Sequence, residues 1–194
     1  MKRFRFIAAL LILAVCLAGC GAGAVATRTP EPPQPTATPV PPTPIVAAFP
    51  LSLTDGLGRE VTLNDMPRRI VSLAPSNTEI LYAIGAGEAL VGVTEYCDHP
   101  SAALEVDKIG GFSAKTISVE MIVSLEPDLV LAYGDRQQTV IDALEQVNIT
   151  VYALVPSSFD DMYANIQTLG KMTGNEEEAS QVVVGMQDRI SDVT

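Results

Sequence analysis

The chain has 194 residues with 23 Asp and Glu against 12 Lys and Arg, a formal net charge of −11, and three cysteines. None of the acidic residues lies in the first twenty positions, where Lys2, Arg3 and Arg5 do, so everything after Cys20 is near −14. That charge argues against nucleic acid and anionic lipid as direct partners, and it also suits an exported protein that stays soluble.

Lys2, Arg3 and Arg5 precede the apolar run Phe6 to Leu17, which ends in small residues and a cysteine. This is the pattern of a bacterial export signal, and it is shorter than the roughly 20 apolar residues of a membrane span. Leu17-Ala-Gly-Cys20 resembles a lipobox, which makes residues 1–19 a signal peptide and Cys20 the site of lipidation. Residues 20–49 carry eight prolines between Pro30 and Pro44 with threonines interleaved. Such a stretch cannot bury a core and reads as an extended tether, rising about 3.1 Å per residue where it is polyproline-like. With Cys16 removed and Cys20 lipidated, Cys97 is alone and no disulfide forms within the chain.

The folded part is expected over 50–174. Leu51-Ser-Leu-Thr and Arg59 to Leu63 flank Asp55-Gly-Leu-Gly58, a hairpin signal. Ile70, Val71 and Leu73 form a short buried strand that Pro75 stops. Ser76 stands three residues before Glu79, the spacing of a capping box, and opens a helix whose buried stripe is Ile80, Leu81, Ala83 and Ile84. Gly85-Ala-Gly87 ends it, and Leu90 to Val93 is the next strand. The three form a βαβ unit, in which ligands meet the loops at the strands' carboxyl ends. Those loops are Leu73 to Thr78 and Glu95 to Pro100. A short helix follows over Ser118 to Leu125, with Val119, Ile122, Val123 and Leu125 inward and Glu120 more exposed. Leu129 to Tyr133 is a strand, Arg136 to Val147 a helix, Ile149 to Val155 a strand and Ser158 to Met172 a helix. Asn175 opens a last helix with Ala179, Val182, Val183, Met186, Ile190 and Val193 on one face. Its stripe is unfinished at Thr194, which reads as a chain cut short. The fold class is therefore α/β, a doubly wound, mostly parallel sheet.

Three constellations invite chemistry. Cys97-Asp98-His99 holds metal-ligand types, yet neighbours on an extended segment point to opposite faces, so no zinc cage is expected. His99 reads as a plain loop residue before Pro100 and Cys97 as a small, partly buried thiol, with Tyr96, Cys97 or His99 as an axial ligand to a haem iron or corrin cobalt the alternative. Ser72 or Ser76 with His99 and Asp98 supplies hydrolase residue types without the G-x-S-x-G elbow.

Several pieces, in order and spacing, carry a resemblance: PRRIVSLAPSNTEILYAIGAG, LVGVTEYCDHP, KIGGFSAKTISVEMIVSLEPDLVLAY and the preceding LTDGLGREVTL. Together they resemble the first lobe of the cobalamin and iron-siderophore substrate-binding proteins of ABC importers. The resemblance implies two doubly wound lobes joined by a long helix, with residues 175–194 the start of that helix and the second lobe absent. It implies no catalysis and no resident cofactor, only a bound corrinoid, ferric siderophore or haem. The implied protein is a monomer, lipid-anchored on the outer face of the bacterial cytoplasmic membrane, that hands its chelate to a permease and ATPase. Pro75, Ser76 and Asn77 would line the cleft floor. Tyr96 corresponds to an aromatic that packs on ligand, and Phe112 stands where a cobalamin binder can have tryptophan. Broad flat rings are buried well by aromatic faces, which lose little side-chain entropy. Glu120 matches a glutamate that docks on permease arginines, although a glutamate early in a helix also suits the helix dipole. A tethered sensor or scavenger without an importer is the alternative.

Overall fold

A computed structural model describes residues 48–192. The signal sequence, Cys20 and nearly all of the proline-rich segment lie outside the described residues, as does Val193. Four parallel strands make the central sheet: β3 (Ile70–Ser72), β4 (Leu90–Val93), β5 (Leu129–Tyr133) and β6 (Val151–Leu154), in the order β4-β3-β5-β6. Each strand is short and apolar on both faces, as a sheet covered by helices on either side requires.

Alternate residues of β3, β5 and β6 point to opposite faces, and two cores follow from that alternation; in β4 a register shift against β3 puts Leu90 and Val93 on the same face. On one face Ile70, Leu129, Leu131, Tyr152 and Leu154 pack beneath α1 (Pro75–Ala83), α4 (Phe159–Thr173) and α5 (Glu176–Ser191). On the other, Val71, Val130, Ala132, Val151 and Ala153 pack beneath α2 (Val119–Ser124) and α3 (Gln138–Gln146). The described residues are thus layered helix, sheet, helix. The strand after β3 is added on one side of it and β5 on the other, so the direction of winding reverses between β3 and β5. That reversal opens a crevice at the carboxyl ends of these two strands.

Both sheet edges are covered. The hairpin β1 (Leu51–Thr54) and β2 (Glu60–Leu63) forms as expected, and its turn lies against β6. There the Gly56 N–H donates to the Ala153 carbonyl at 2.8 Å, the Ala153 N–H donates to Asp55 Oδ2 at 3.2 Å, and the Tyr152 hydroxyl donates to the Thr54 carbonyl at 3.0 Å. At the other edge residues 107–109 run alongside Val93. Unpaired edges would otherwise present a template for another chain.

Several local expectations are corrected. α1 does not open on a Ser76 capping box. Its N-cap is Ala74 in extended geometry, and Pro75 occupies the first helical position. Proline is favoured there because its missing N–H has no partner to lose and its φ is already helical. Ala83 is exposed, lying about 200° round the helix from the buried Leu81. Val123 points outward and is 40% exposed, beside the outward Met121, because a six-residue helix buries only one side, here through Ile122. The strand predicted over Ile149 to Val155 is confined to Val151–Leu154, and Val155 is exposed past its end. Ser118 and Ser158 cap α2 and α4 through their hydroxyls, and α4 and α5 cross closely at Gly170 and Ala179.

Candidate functional site

Three loops rise from the carboxyl end of the sheet, and one open cavity of about 580 Å³ lies between them, lined by Pro75, Tyr96, Phe112, Ser113 and Thr116. Of the five candidates read from the sequence, Pro75, Tyr96 and Phe112 line it from separate loops, and Ser76 and Asn77 do not. None of the five lining residues carries a charge.

The first loop, Leu73 to Pro75, leaves β3 at the crevice. Ser72, immediately before it, is buried and donates to the Ala74 carbonyl at 2.9 Å. Ser76 is exposed on the first turn of α1. Asn77 is not on the cleft floor. It is 1% exposed, and its Nδ2 donates to the carbonyls of Leu131 and Ala132 at 3.2 and 3.3 Å. A side-chain amide in the first turn of α1 faces the end of β5, so its donors are spent beneath the surface.

The second loop carries Tyr96, 61% exposed, directly before Cys97, 1% exposed. Glu95 and Tyr96 are the central residues of a turn that the Cys97 N–H closes by donating to the Thr94 carbonyl at 3.1 Å, so the Tyr96 ring stands out at the turn while Cys97 is held beneath it. The Cys97 thiol lies 3.2 Å from Thr78 Oγ1 and 3.1 Å from Thr94 Oγ1, and Thr78 Oγ1 is 2.8 Å from Ser72 Oγ. This buried hydroxyl and thiol cluster ties the Tyr96 loop to the Pro75 loop. The Lys108 ammonium adds a second tie, donating to the Cys97 and Ala103 carbonyls at 3.1 and 2.8 Å. His99 is exposed. Among the described residues no group of three His, Cys, Asp or Glu stands close enough to hold a metal ion.

The third loop, residues 110–117, folds back on itself. The Gly111 N–H donates to the Thr116 carbonyl at 3.0 Å, and the Ser118 N–H to the Ile109 carbonyl at 2.9 Å. Gly110 adopts φ +99, and a β-carbon there would stand 2.2 Å from the Thr116 carbonyl oxygen. Only glycine satisfies both the left-handed backbone and the close approach. The loop's half-buried Phe112 leans on Tyr133 at the end of β5, with ring centroids 5.7 Å apart and planes tilted by 52°, a favourable aromatic geometry. Ser113, Thr116 and Tyr133 were not read from the sequence as site residues. Only the glycine pair before Phe112 signalled that this segment turns sharply.

Glu120 is exposed in the first turn of α2, where Ser118 Oγ donates to its Oε2 at 3.3 Å. The neighbouring Met121 and Val123 are exposed apolar side chains.

In chemical terms the cavity offers apolar and aromatic surface with two hydroxyls, Ser113 and Thr116. Of the serines that supply hydrolase residue types, Ser72 is buried in the hydroxyl cluster and Ser76 is exposed on the first turn of α1.

Comparison with known proteins gives a consistent set of likenesses. A family model for periplasmic binding proteins matches residues 70–194. The chain is 37% identical, over 99% of its length and 58% of the other's, to an uncharacterized ABC transporter substrate-binding lipoprotein of Bacillus subtilis. It is 35% identical to a vitamin B12-binding protein of Vibrio cholerae over 64% of this chain and 45% of that one. The solved structure of the periplasmic vitamin B12-binding protein of Vibrio cholerae superposes with a TM-score of 0.60 at 34% identity, over 66% of this chain and 49% of that one. The chain therefore spans about half the length of the curated relatives it matches.

Proposed function

The chain belongs to the periplasmic binding protein family, and on that premise we propose that it captures a metal-chelate ligand, a corrinoid before a haem or ferric siderophore, for an ABC importer. The observation that carries the proposal is the convergence of Pro75, Tyr96 and Phe112 from three loops onto one uncharged cavity. A corrin ring is broad and flat, and aromatic faces cover it with little entropy loss on ordering.

The lining itself is uncharged, and the loops around it carry both signs: exposed Glu95 and Asp98 near Tyr96, and exposed Lys115 between Ser113 and Thr116. The uncharged aromatic lining and the relatives together favour the corrinoid. The relatives at 34 and 35% identity are vitamin B12-binding proteins. Pro75, Tyr96 and Phe112 would contact the ring, with Ser76 at the rim. Asn77 would hold the floor from below.

Delivery and anchoring complete the proposal. Glu120, with Met121 and Val123 beside it, would form a patch that docks on arginines of the permease; an acidic group next to apolar surface suits such an interface. Cys20 would carry the lipid that holds the protein at the outer face of the membrane, in keeping with the lipoprotein of Bacillus subtilis.

The test is an absorbance and calorimetric titration of the full chain with cyanocobalamin, a ferric hydroxamate and haemin. The expected result is one-to-one binding that is tightest for cyanocobalamin. Binding of haemin alone, lost in His99→Ala, would replace the corrinoid by haem, and no binding of any of the three would overturn the proposal.

A further inference from the structure

We infer that Gln137 is the positioning residue of the cleft, setting the spacing of its loops without touching ligand. The inference rests on the binding function proposed above. Gln137 ends the single 3-10 turn Asp135–Gln137 that follows β5, and it is 0% exposed. Its Nε2 donates to the Leu73 carbonyl at 3.0 Å and to the Phe112 carbonyl at 2.9 Å, while its Oε1 accepts the Tyr133 N–H at 2.8 Å. Both amide donors and the acceptor are thus occupied, each on a different piece of the site.

Those pieces are the ones that shape the cavity. Leu73 is two residues before Pro75, Phe112 lines the cavity, and the Tyr133 ring supports the Phe112 ring. The sites bridged are 64 and 25 residues away in sequence. With Asn77, which bridges from α1 to the end of β5, Gln137 fills the crevice between β3 and β5 with side-chain amides. The ligand face is therefore raised above the crevice, on the rings. The backbone that returns Gln137 to the site is itself specialised: Gly134 has φ 69 and ψ −171, a region open essentially to glycine alone. A packing spacer would need only volume. Three hydrogen bonds, to the Leu73 loop, the Phe112 loop and the end of β5, fix distances as well, because a buried amide must keep all its partners.

Two variants and a double-mutant cycle test this with cyanocobalamin and the full chain. Gln137→Met keeps the volume and removes the bonds. Its expected effect is about tenfold weaker binding, and less than about twofold when added to Phe112→Ala, because it acts through that loop. Gln137→Glu is the second variant. As the neutral acid it donates to one carbonyl, and as the carboxylate it opposes both, so its affinity falls from about pH 5 to pH 8 while the wild type's does not. A structural role alone would lower the melting temperature, leave the affinity of the folded protein within about twofold, and multiply independently with Phe112→Ala. Either that pattern, or failure of both variants to fold, overturns the inference while the binding function stands. Wild-type protein that does not bind cyanocobalamin fails the binding function, and the inference falls with it.

Discussion

Tyr96→Ala is the sharpest probe of the cleft because its ring is presented to solvent by an anchored neighbour. Tyr96 is 61% exposed, and for a ring that buries about 200 Å² when fully covered this leaves roughly 120 Å² to be taken from water. At about 25 cal/mol per Å², complete covering is worth about 3 kcal/mol. A flat ligand lies on one face of the ring, so about half of that, ~1.5 kcal/mol, is realised. Truncation is then expected to raise the dissociation constant about tenfold. The fold should not respond, since a side chain this exposed changes stability by less than about 0.5 kcal/mol when removed. Absorbance titration with cyanocobalamin reads the first quantity and calorimetric unfolding the second, with Tyr96→Phe as the control that retains the face. An unchanged affinity in Tyr96→Ala would refute the assignment. So would a melting-temperature drop as large as the binding loss, which would make Tyr96 a part of the fold.

Glu120→Arg is expected to lower cobalamin-dependent stimulation of the permease–ATPase complex about tenfold with no change in ligand affinity, as a reversed charge at a docking patch should; an affinity change, or full stimulation, would count against docking. Burial alone would raise the Asp55 pKa, but the Arg59 guanidinium and the N–H groups of Arg59, Ala153 and Leu57 outweigh it and hold the carboxyl below its ordinary range. A group depressed in the folded state stabilises it above the unfolded pKa, about 3.9, and that stability is lost as pH falls through the folded value. Thermal unfolding followed from about pH 7 to pH 2 should therefore show Asp55→Asn less stable than wild type at neutral pH and the two converging in acid. Parallel curves would contradict the linkage. At the α4–α5 crossing a β-carbon on Gly170 would stand 2.5 Å from the Ala179 methyl, so Gly170→Ala should cost about 1–3 kcal/mol. Each kcal/mol lowers the melting temperature by about 2–4 °C, and adding Ala179→Gly should restore part of it, since the β-carbon would still stand 3.0 Å from the Asn175 carbonyl oxygen.

The types of the elements and the places of the loops between them can be read from the sequence. Short β-branched runs alternating with helical stripes imply a parallel α/β sheet, and in such a sheet the segments after Leu73 and Val93 must lie at one end. Ser118 and Ser158 announce helix starts through hydroxyls that reach the backbone three residues on, and Asp55-Gly-Leu-Gly58 announces a turn. These signals are local, so they are legible in the chain. The outward side of α2 was not legible, because Val119, Ile122, Val123 and Leu125 all satisfy an apolar stripe and only the sheet beneath decides that Val123 is left out. Nor was the division of labour among the polar residues. Ser76 and Asn77 are adjacent and chemically similar on paper, yet one is exposed and the other is locked to carbonyls 54 and 55 residues away. Gln137 carries no local signal at all, since its three partners meet only once β3, β5 and the Phe112 loop are assembled. A side-chain amide takes its role from whichever backbone groups the fold brings within its reach, and that is settled by tertiary structure alone.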